Sequence, residues 1–237
     1  MQNGVTMNLA NCNLDGNGTF SWLLQFDTIG GTLTTGGATP AQDPTQGYAF
    51  VSQTIMQGSK SFTIAPIVVP APINGGAFAT STGKYVILPI YLDIAASAVI
   101  LLPLHEAKLA GNLSADKSCI GKYNAAGLDP AGGCLPDNTT PAFIGADGKA
   151  DSDGHLDGYV GLNEADTVLV DAVGQSLCVI LWGDAATYGD GGMPSKCKRT
   201  GGKINFQGDW CSASNNMACT DSVRLSARFS ASGVKAN

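Results

Sequence analysis

The stretch Tyr85-Val-Ile-Leu-Pro-Ile-Tyr-Leu-Asp-Ile-Ala-Ala-Ser-Ala-Val-Ile-Leu-Leu-Pro-Leu104 decides between two kinds of fold. It is long enough for a helix that crosses a membrane. However, Pro89, Pro103 and the central Asp93 interrupt it, and it is rich in β-branched residues, which favour strands. The stretch therefore predicts two buried strands joined by residues 94–98. Because proline cannot donate to a sheet ladder, Pro89 is expected at an edge or bulge position, and no membrane span is expected.

Similar strand signals occur on both sides of this stretch. Apolar residues occupy alternate positions within residues 19–26, which predicts that one face is buried, formed by Phe20, Trp22, Leu24 and Phe26. Leu23 is the exception to this pattern. Residues 223–229 alternate in the same way, which predicts Val223, Leu225, Ala227 and Phe229 on the buried face and Arg224 and Arg228 on the outer face. Turn dipeptides rich in Gly separate seven such runs, at residues 19–26, 61–69, 84–94, 98–104, 176–182, 203–210 and 222–229.

The composition agrees with a β-rich fold. Only 14% of the residues are charged and 31 of 237 are Gly, a profile that suits short strands and tight turns. Only two of the nineteen carboxylates are Glu, so residues that favour exposed helix are scarce. A single helical turn within residues 162–170 is the expected exception. We predict one all-β, β-sandwich-like domain over residues 1–237, with little helix and a long Gly/Asp-rich loop insertion at about 111–157.

The charge of the chain argues against nucleic acid as a partner. The formal net charge is −6, whereas affinity for phosphate backbones comes largely from clustered Lys and Arg. One short basic cluster is present, and it has no interleaved aromatic residues, so it is interpreted as a solvated loop; it comprises Lys196, Lys198, Arg199 and Lys203.

The seven cysteines are best explained by disulfides. Most lie among Gly, Asn, Ser and Asp, as expected for loops, and no Cys-x-x-Cys zinc spacing occurs. Pairs that bracket turn-rich loops predict the bridges Cys119–Cys134 and Cys211–Cys219, with Cys178–Cys197 as the third pair and Cys12 left over. Because disulfides persist in oxidising compartments, we expect an extracytoplasmic location: secreted, periplasmic or on the cell surface. The sequence as written shows no signal peptide, so we expect that a leader is absent from it.

Recognisable catalytic and nucleotide motifs are missing. No nucleophile elbow, Walker A loop or strand-linked G-x-G-x-x-G occurs, so no nucleotide or organic cofactor is expected. His105 and His155 are the two available imidazole bases, and neither has a local partner signature. Asp93, within an apolar run, could be a general acid if burial raised its pKa, or a carboxylate that binds backbone N–H groups at a strand end.

Residues 151–164, DSDGHLDGYVGLNE, resemble the twelve-residue calcium loop of EF-hand proteins. Counting from Asp153, the matching ligand positions are Asp157, the Tyr159 carbonyl and Glu164, whereas His155 offers nitrogen where Ca²⁺ prefers oxygen. Seven of the nineteen carboxylates lie between residues 147 and 171 with one cation, Lys149, so a bound divalent ion would relieve their repulsion. A solvated acidic turn is the alternative.

Two functions remain open at this point. The first is a secreted or cell-surface β-sandwich binding or structural module, stabilised by Ca²⁺, that contacts an extracellular protein or glycan or self-associates through edge strands. The second is a secreted glycan-active hydrolase that uses distant carboxylates. A flat aromatic patch would favour the binding module, whereas a cleft with two acids on the order of 5 to 10 Å apart would favour the hydrolase.

Overall fold

The computed structural model of this chain describes residues 21–40, 46–57, 59–93, 95–113, 119–120, 154–182, 195–213, 219–229, 231–232 and 237. Strands dominate this part of the chain, and two short helices accompany them, α1 (Leu162–Ala165) and α2 (Leu177–Trp182). The all-β prediction is confirmed, while the packing of two sheets as a sandwich stays a prediction. Neither described helix is long and apolar enough to cross a membrane.

The largest sheet has six antiparallel strands. Its hydrogen-bonded path runs through β16 (Ser222–Phe229), β11 (Gly154–Gly161), β9 (Val99–Asn112), β7 (Ala77–Ala79) and β6 (Ile73–Asn74), and β8 (Lys84–Tyr91) pairs with the first part of β9. In the register of β11, Tyr159 lies opposite His105 of β9 on one side and opposite Arg224 of β16 on the other. This register brings residues that are far apart in sequence onto one face of the sheet.

The stretch that decides the fold is a pair of strands, as predicted. β8 and β9 pair from Tyr91 opposite Val99 onward, and buried residues dominate the second half of β8. Among the described residues β8 pairs with β9 alone, so Pro89 lies in an edge strand. The Pro89 ring packs so closely on Gly37 that a Cβ at residue 37 would overlap it.

A second sheet and a hairpin share the main core. β1 (Ser21–Asp27), β2 (Thr32–Ala38) and β5 (Ile67–Pro70) form a three-stranded antiparallel sheet, and β3 (Gln53–Gln57) pairs with β4 (Lys60–Ile64). Fully buried residues from both groups and from the six-stranded sheet belong to one cluster, including Leu33, Ile64, Val69, Leu88, Leu101, Leu104 and Val160. Burial of each such side chain contributes about 1.5 to 3 kcal/mol, which makes this cluster the main source of stability.

The predicted core face of β1 is confirmed where the structure describes it. Trp22, Leu24 and Phe26 are half-buried and pack against the main core, whereas Phe20 lies outside the described residues. Leu23 on the opposite face is buried too, because it packs in a second, smaller cluster with Ala38 and Tyr48. β1 is therefore covered on both faces at its start, which explains the one exception to its alternation.

Three two-residue strand pairs complete the described part. They are β10 (Cys119–Ile120) with β17 (Ala231–Ser232), β12 (Leu169–Val170) with β13 (Gln175–Ser176), and β14 (Arg199–Thr200) with β15 (Lys203–Ile204). Of the predicted loop insertion 111–157, residues 111–112, 119–120 and 154–157 lie in β9, β10 and β11, and 114–118 and 121–153 lie outside the described residues. The predicted helical turn is α1.

The predicted strand over residues 176–182 is wrong. Only Ser176 is in a strand, and α2 follows immediately. The three successive residues Leu177, Cys178 and Val179 are all buried. A short, continuously apolar run fits a buried strand and a buried helix equally well, so periodicity could not distinguish them.

Candidate functional site: a row of aromatic rings across the sheet

Four rings lie side by side across the outer face of the six-stranded sheet. We call them the ring row: Tyr85 of β8, His105 of β9, Tyr159 of β11 and Trp210, which precedes β16. The ring centroids of Tyr85 and His105 are 4.6 Å apart, those of His105 and Tyr159 are 5.2 Å apart in a stacked arrangement, and those of Tyr159 and Trp210 are 6.4 Å apart. Tyr85 and Trp210, at the two ends, are each 42% exposed. Aromatic pairs at such separations stabilise one another, and the ends present ring surface to solvent.

A β-bulge in β9 lies next to His105. The register of β9 shifts against both of its neighbours, β8 and β11, at this point. Glu106 here has φ 51°, a left-handed conformation that residues other than Gly adopt rarely. Two glycines leave space for this bulge. A Cβ on Gly158 would lie 2.9 Å from the His105 carbonyl oxygen, and a Cβ on Gly83 would lie 2.7 Å from the Glu106 backbone. Bulges and left-handed residues are concentrated near functional sites, where they redirect side chains.

Glu164 fixes the first two rings of the row. It lies in α1, directly after β11, and the Tyr85 hydroxyl donates to its Oε1 at 2.8 Å. His105 Nε2 lies 2.5 Å from its Oε2. Burial, followed by the hydrogen bond and the charge of Glu164, raises the pKa of Tyr85 well above its usual range. The Tyr85 phenol therefore stays protonated as a donor and is a poor nucleophile at neutral pH.

A stapled loop positions Trp210 at the other end. The backbone of Trp210 exchanges two hydrogen bonds of 3.1 Å with Ser222 of β16. The Cys211–Cys219 disulfide follows directly, and the Asp221 carboxylate accepts from the backbone N–H and hydroxyl of Ser212 at 2.8 and 2.6 Å. Burial alone would raise the pKa of Asp221, but these hydrogen bonds lower it below its ordinary value. Trp210 is thus held against β16 by covalent and polar contacts.

Arg224 lies over the end of the ring row. Its guanidinium carbon is 5.7 Å from the centroid of the Trp210 ring, within the range of a cation–π interaction. The same guanidinium donates to Asp157 at 3.0 Å. Asp157 and Tyr159 are two residues apart on β11, so they share the outer face. At this end of the ring row, the Trp210 ring therefore already contacts a cation, Arg224, that is paired with the Asp157 carboxylate.

The structure places the described residues of the predicted calcium site in two successive elements. Asp157 and Tyr159 lie in the extended strand β11, Glu164 lies in α1, and Asp153 lies outside the described residues. An EF-hand loop wraps twelve residues around one ion, and residues 154–161 do not adopt that conformation. Asp157 binds Arg224, and Glu164 binds Tyr85 and His105. Calcium binding by this chain stays a prediction.

Two of the three expected disulfides are present. They are Cys178–Cys197 and Cys211–Cys219, with Cα–Cα distances of 5.9 and 5.1 Å. The third pairing, Cys119–Cys134, and the leftover Cys12 are not settled, because Cys134 and Cys12 lie outside the described residues. The two disulfides present are compatible with an oxidising compartment.

Asp166 binds the Cys178–Cys197 region to α1. Its carboxylate is 3% exposed and accepts from the Ser176 hydroxyl at 2.8 Å, from the Cys197 N–H at 2.7 Å and from Arg199 at 2.8 Å. Interpreting the basic cluster as a solvated loop was therefore wrong for Arg199. A buried carboxylate with this many donors is well compensated, so Asp166 is structural.

The general-acid interpretation of Asp93 is wrong. Hydrogen bonds from the Ser97 hydroxyl and backbone, and then from the Ala98 backbone, lower the pKa of Asp93, whereas a general acid needs a raised pKa. Asp93 closes the connection between β8 and β9. His155 lies in β11 opposite Ala110.

Sequence reasoning missed the ring row itself. Glu164 and Tyr159 were singled out, but for a different site. Tyr85, His105 and Trp210 come from separate segments, so no local spacing linked them. The alternation within residues 223–229 did place Arg224 on the outer face, and that was the one usable signal.

No protein-family model, curated protein or solved structure matched this chain.

Proposed function

We propose that this chain is a secreted or cell-surface binding module whose ring row contacts an extracellular protein or glycan. The observation that carries the proposal is the row itself, in which side chains of three strands and one stapled loop are held on the open outer face of a sheet. Exposed rings that are rigidly positioned bind ligands at low entropic cost. The two disulfides support an extracytoplasmic location.

A glycan-active hydrolase is the second candidate, because several carboxylates lie near the row. The charges of Glu106, Asp221 and Glu164 all act on Tyr159. However, a groove of about 510 Å³ among the described residues has no carboxylate in its lining, which consists of Leu92, Ile100, Val170, Val173, Gln175, Val179 and Ile180. A concave site with paired acids would support hydrolysis, whereas an open aromatic face supports binding.

Arrays of defined glycans and defined peptides test the proposal. The natively folded, oxidised protein is expected to bind at least one class, and Trp210→Ala is expected to lose that binding by about tenfold or more, as for an exposed aromatic anchor. Ile29→Ala is the matched control, because Ile29 is 99% exposed in the turn between β1 and β2, which belong to the other sheet. Equal binding by the wild type and Trp210→Ala, or binding of no array member, would contradict the proposal. Glycan fragments in the supernatant would favour the hydrolase.

A further inference from the structure

The surroundings of the ring row are acidic. Three carboxylates act on Tyr159, and Asp157 and Asp209 lie at the Trp210 end, where they accept from the Arg224 side chain and backbone. Cations are fewer on this face, where Arg224 and Arg228 share one side of β16 and Lys108 lies opposite Asp157. Negative charge therefore exceeds positive charge here, in line with the net charge of −6. Such a face attracts cationic ligands and repels anionic ones.

Glu106 is the carboxylate of this group whose side chain has no hydrogen-bond or ion-pair partner among the described residues. It is exposed, and no hydrogen bond or ion pair joins its side chain to the described residues, whereas Glu164 and Asp157 are both paired. Its backbone is nevertheless held at φ 51°. A left-handed non-glycine residue costs about 1 kcal/mol or more, and such strain usually persists where a side chain must be presented in a particular direction.

Exposed Glu106 directly follows His105, which lies opposite Tyr159 in the sheet, and the electrostatic effect on Tyr159 agrees with this placement. Burial first, and then the charges of Glu106, Asp221 and Glu164, raise the pKa of Tyr159. The same negative potential that opposes a phenolate would favour a cation over the ring. A cationic ligand therefore complements both the rings and the carboxylates, whereas a neutral or anionic ligand does not.

The contacts of Arg224 within the molecule show which chemical group can bind the ring row. A guanidinium over Trp210, paired with a carboxylate at 3.0 Å, is the arrangement that an incoming arginine would repeat one ring further along. Guanidinium groups are planar, stack on rings and bind carboxylates, which a neutral sugar cannot do.

We propose that the ring row binds an arginine side chain of a partner protein, with the guanidinium over Tyr159 and beside the Glu106 carboxylate. This inference rests on the proposed binding function and specifies its ligand class. Arg224 is then a competing internal cation. Removal of the Arg224 side chain frees the Trp210 ring and leaves Asp157 unpaired, so binding of the arginine ligand becomes stronger. Neutralising Glu106 makes that binding weaker.

The test is calorimetric titration with two capped peptides that differ in one side chain, arginine in one and its neutral isostere citrulline in the other. The arginine peptide is expected to bind at least about fivefold more tightly, in keeping with about 1 kcal/mol for an exposed cation–π and ion pair. Glu106→Gln is expected to reduce that preference about threefold, and Arg224→Gln to increase it by a similar factor. Raising the ionic strength from about 0.05 M to about 0.5 M should weaken binding of the arginine peptide alone.

The outcomes separate this inference from the proposed function. Equal binding of both peptides, or an unchanged preference in Glu106→Gln, overturns the arginine inference. If a neutral glycan binds in a Trp210-dependent manner while arginine shows no preference, the binding function stands and its ligand class is wrong. Ile29→Ala serves again as the control and is expected to keep the arginine preference of the wild type.

Discussion

Tyr91 carries a buried hydroxyl that has no hydrogen-bond partner among the described residues. The residue is 3% exposed, and burial raises the pKa of its phenol. An unsatisfied buried hydroxyl costs free energy that its removal recovers. Tyr91→Phe is therefore expected to raise the free energy of unfolding by about 1 kcal/mol in a denaturant titration. Tyr85→Phe, which removes a hydroxyl that does donate, is the control and is expected to lower it. A destabilised Tyr91→Phe would contradict the assignment.

Asp221 makes the stability of the Trp210 loop depend on pH. Its pKa in the folded chain is lowered from 3.8, so the carboxylate contributes stability above that pH and loses it as the pH falls further. The difference in unfolding free energy between the wild type and Asp221→Asn is thus expected to be largest near about pH 7 and to shrink below pH 3.8. Urea titrations at several pH values measure it, and a difference that grows on acidification would reverse the sign and refute the account.

At the scale of elements, the Cys211–Cys219 disulfide holds one end of the ring row. Replacing both cysteines by Ser is expected to cost about 2 to 3 kcal/mol through the entropy of the unfolded chain. It should also broaden or shift the Trp210 indole N–H resonance, because the loop loses its covalent anchor. The Cys178→Ser/Cys197→Ser variant should lower stability while leaving that resonance in place. If the Trp210 resonance stays unchanged in the Cys211/Cys219 variant, the disulfide does not position the ring.

Elements with strong local patterns could be predicted, and those without them could not. Two prolines and one Asp within residues 85–104 were enough to predict β8 and β9, and the alternation in residues 223–229 placed Leu225, Ala227 and Phe229 on the core. α2 could not be predicted, since its apolar run is too short to show a helical period. The bulge at Glu106 has no sequence signal, because its two permitting glycines, Gly83 and Gly158, lie in other strands.

At the scale of the whole molecule, the sequence predicts two disulfides that the structure contains, but it does not predict the ring row. The ring row depends on the register between β9, β11 and β16, which pairs residues 45 or more positions apart; Tyr159 and His105 are 54 positions apart. The sequence predicts Glu164 as a calcium ligand because it matches the twelfth position of an EF-hand-like loop that starts at Asp153. Its partners in the fold, Tyr85 and His105, lie 79 and 59 positions away.

Calcium binding by the acidic stretch 147–171 is tested by melting curves. The melting temperature is expected to rise with free Ca²⁺, with a gain of about 2.7 kcal/mol at a hundredfold excess over Kd. Asp157→Asn should reduce the shift. Glu164→Gln should abolish the shift, because it removes the charge of the bidentate ligand at the twelfth position of the predicted loop. Curves that respond to neither Ca²⁺ nor EDTA would contradict calcium binding by this stretch.

The central claim is that ligands bind on the ring row, and mapping the footprint of a bound ligand by NMR tests it most directly. On titration with the arginine peptide or with any ligand found on the arrays, the largest shift changes are expected at the backbone amides of His105, Glu106 and Tyr159 and at the Trp210 indole N–H. Changes centred instead on the apolar groove around Leu92, Ile100 and Val179, with the ring row unaffected, would contradict the account.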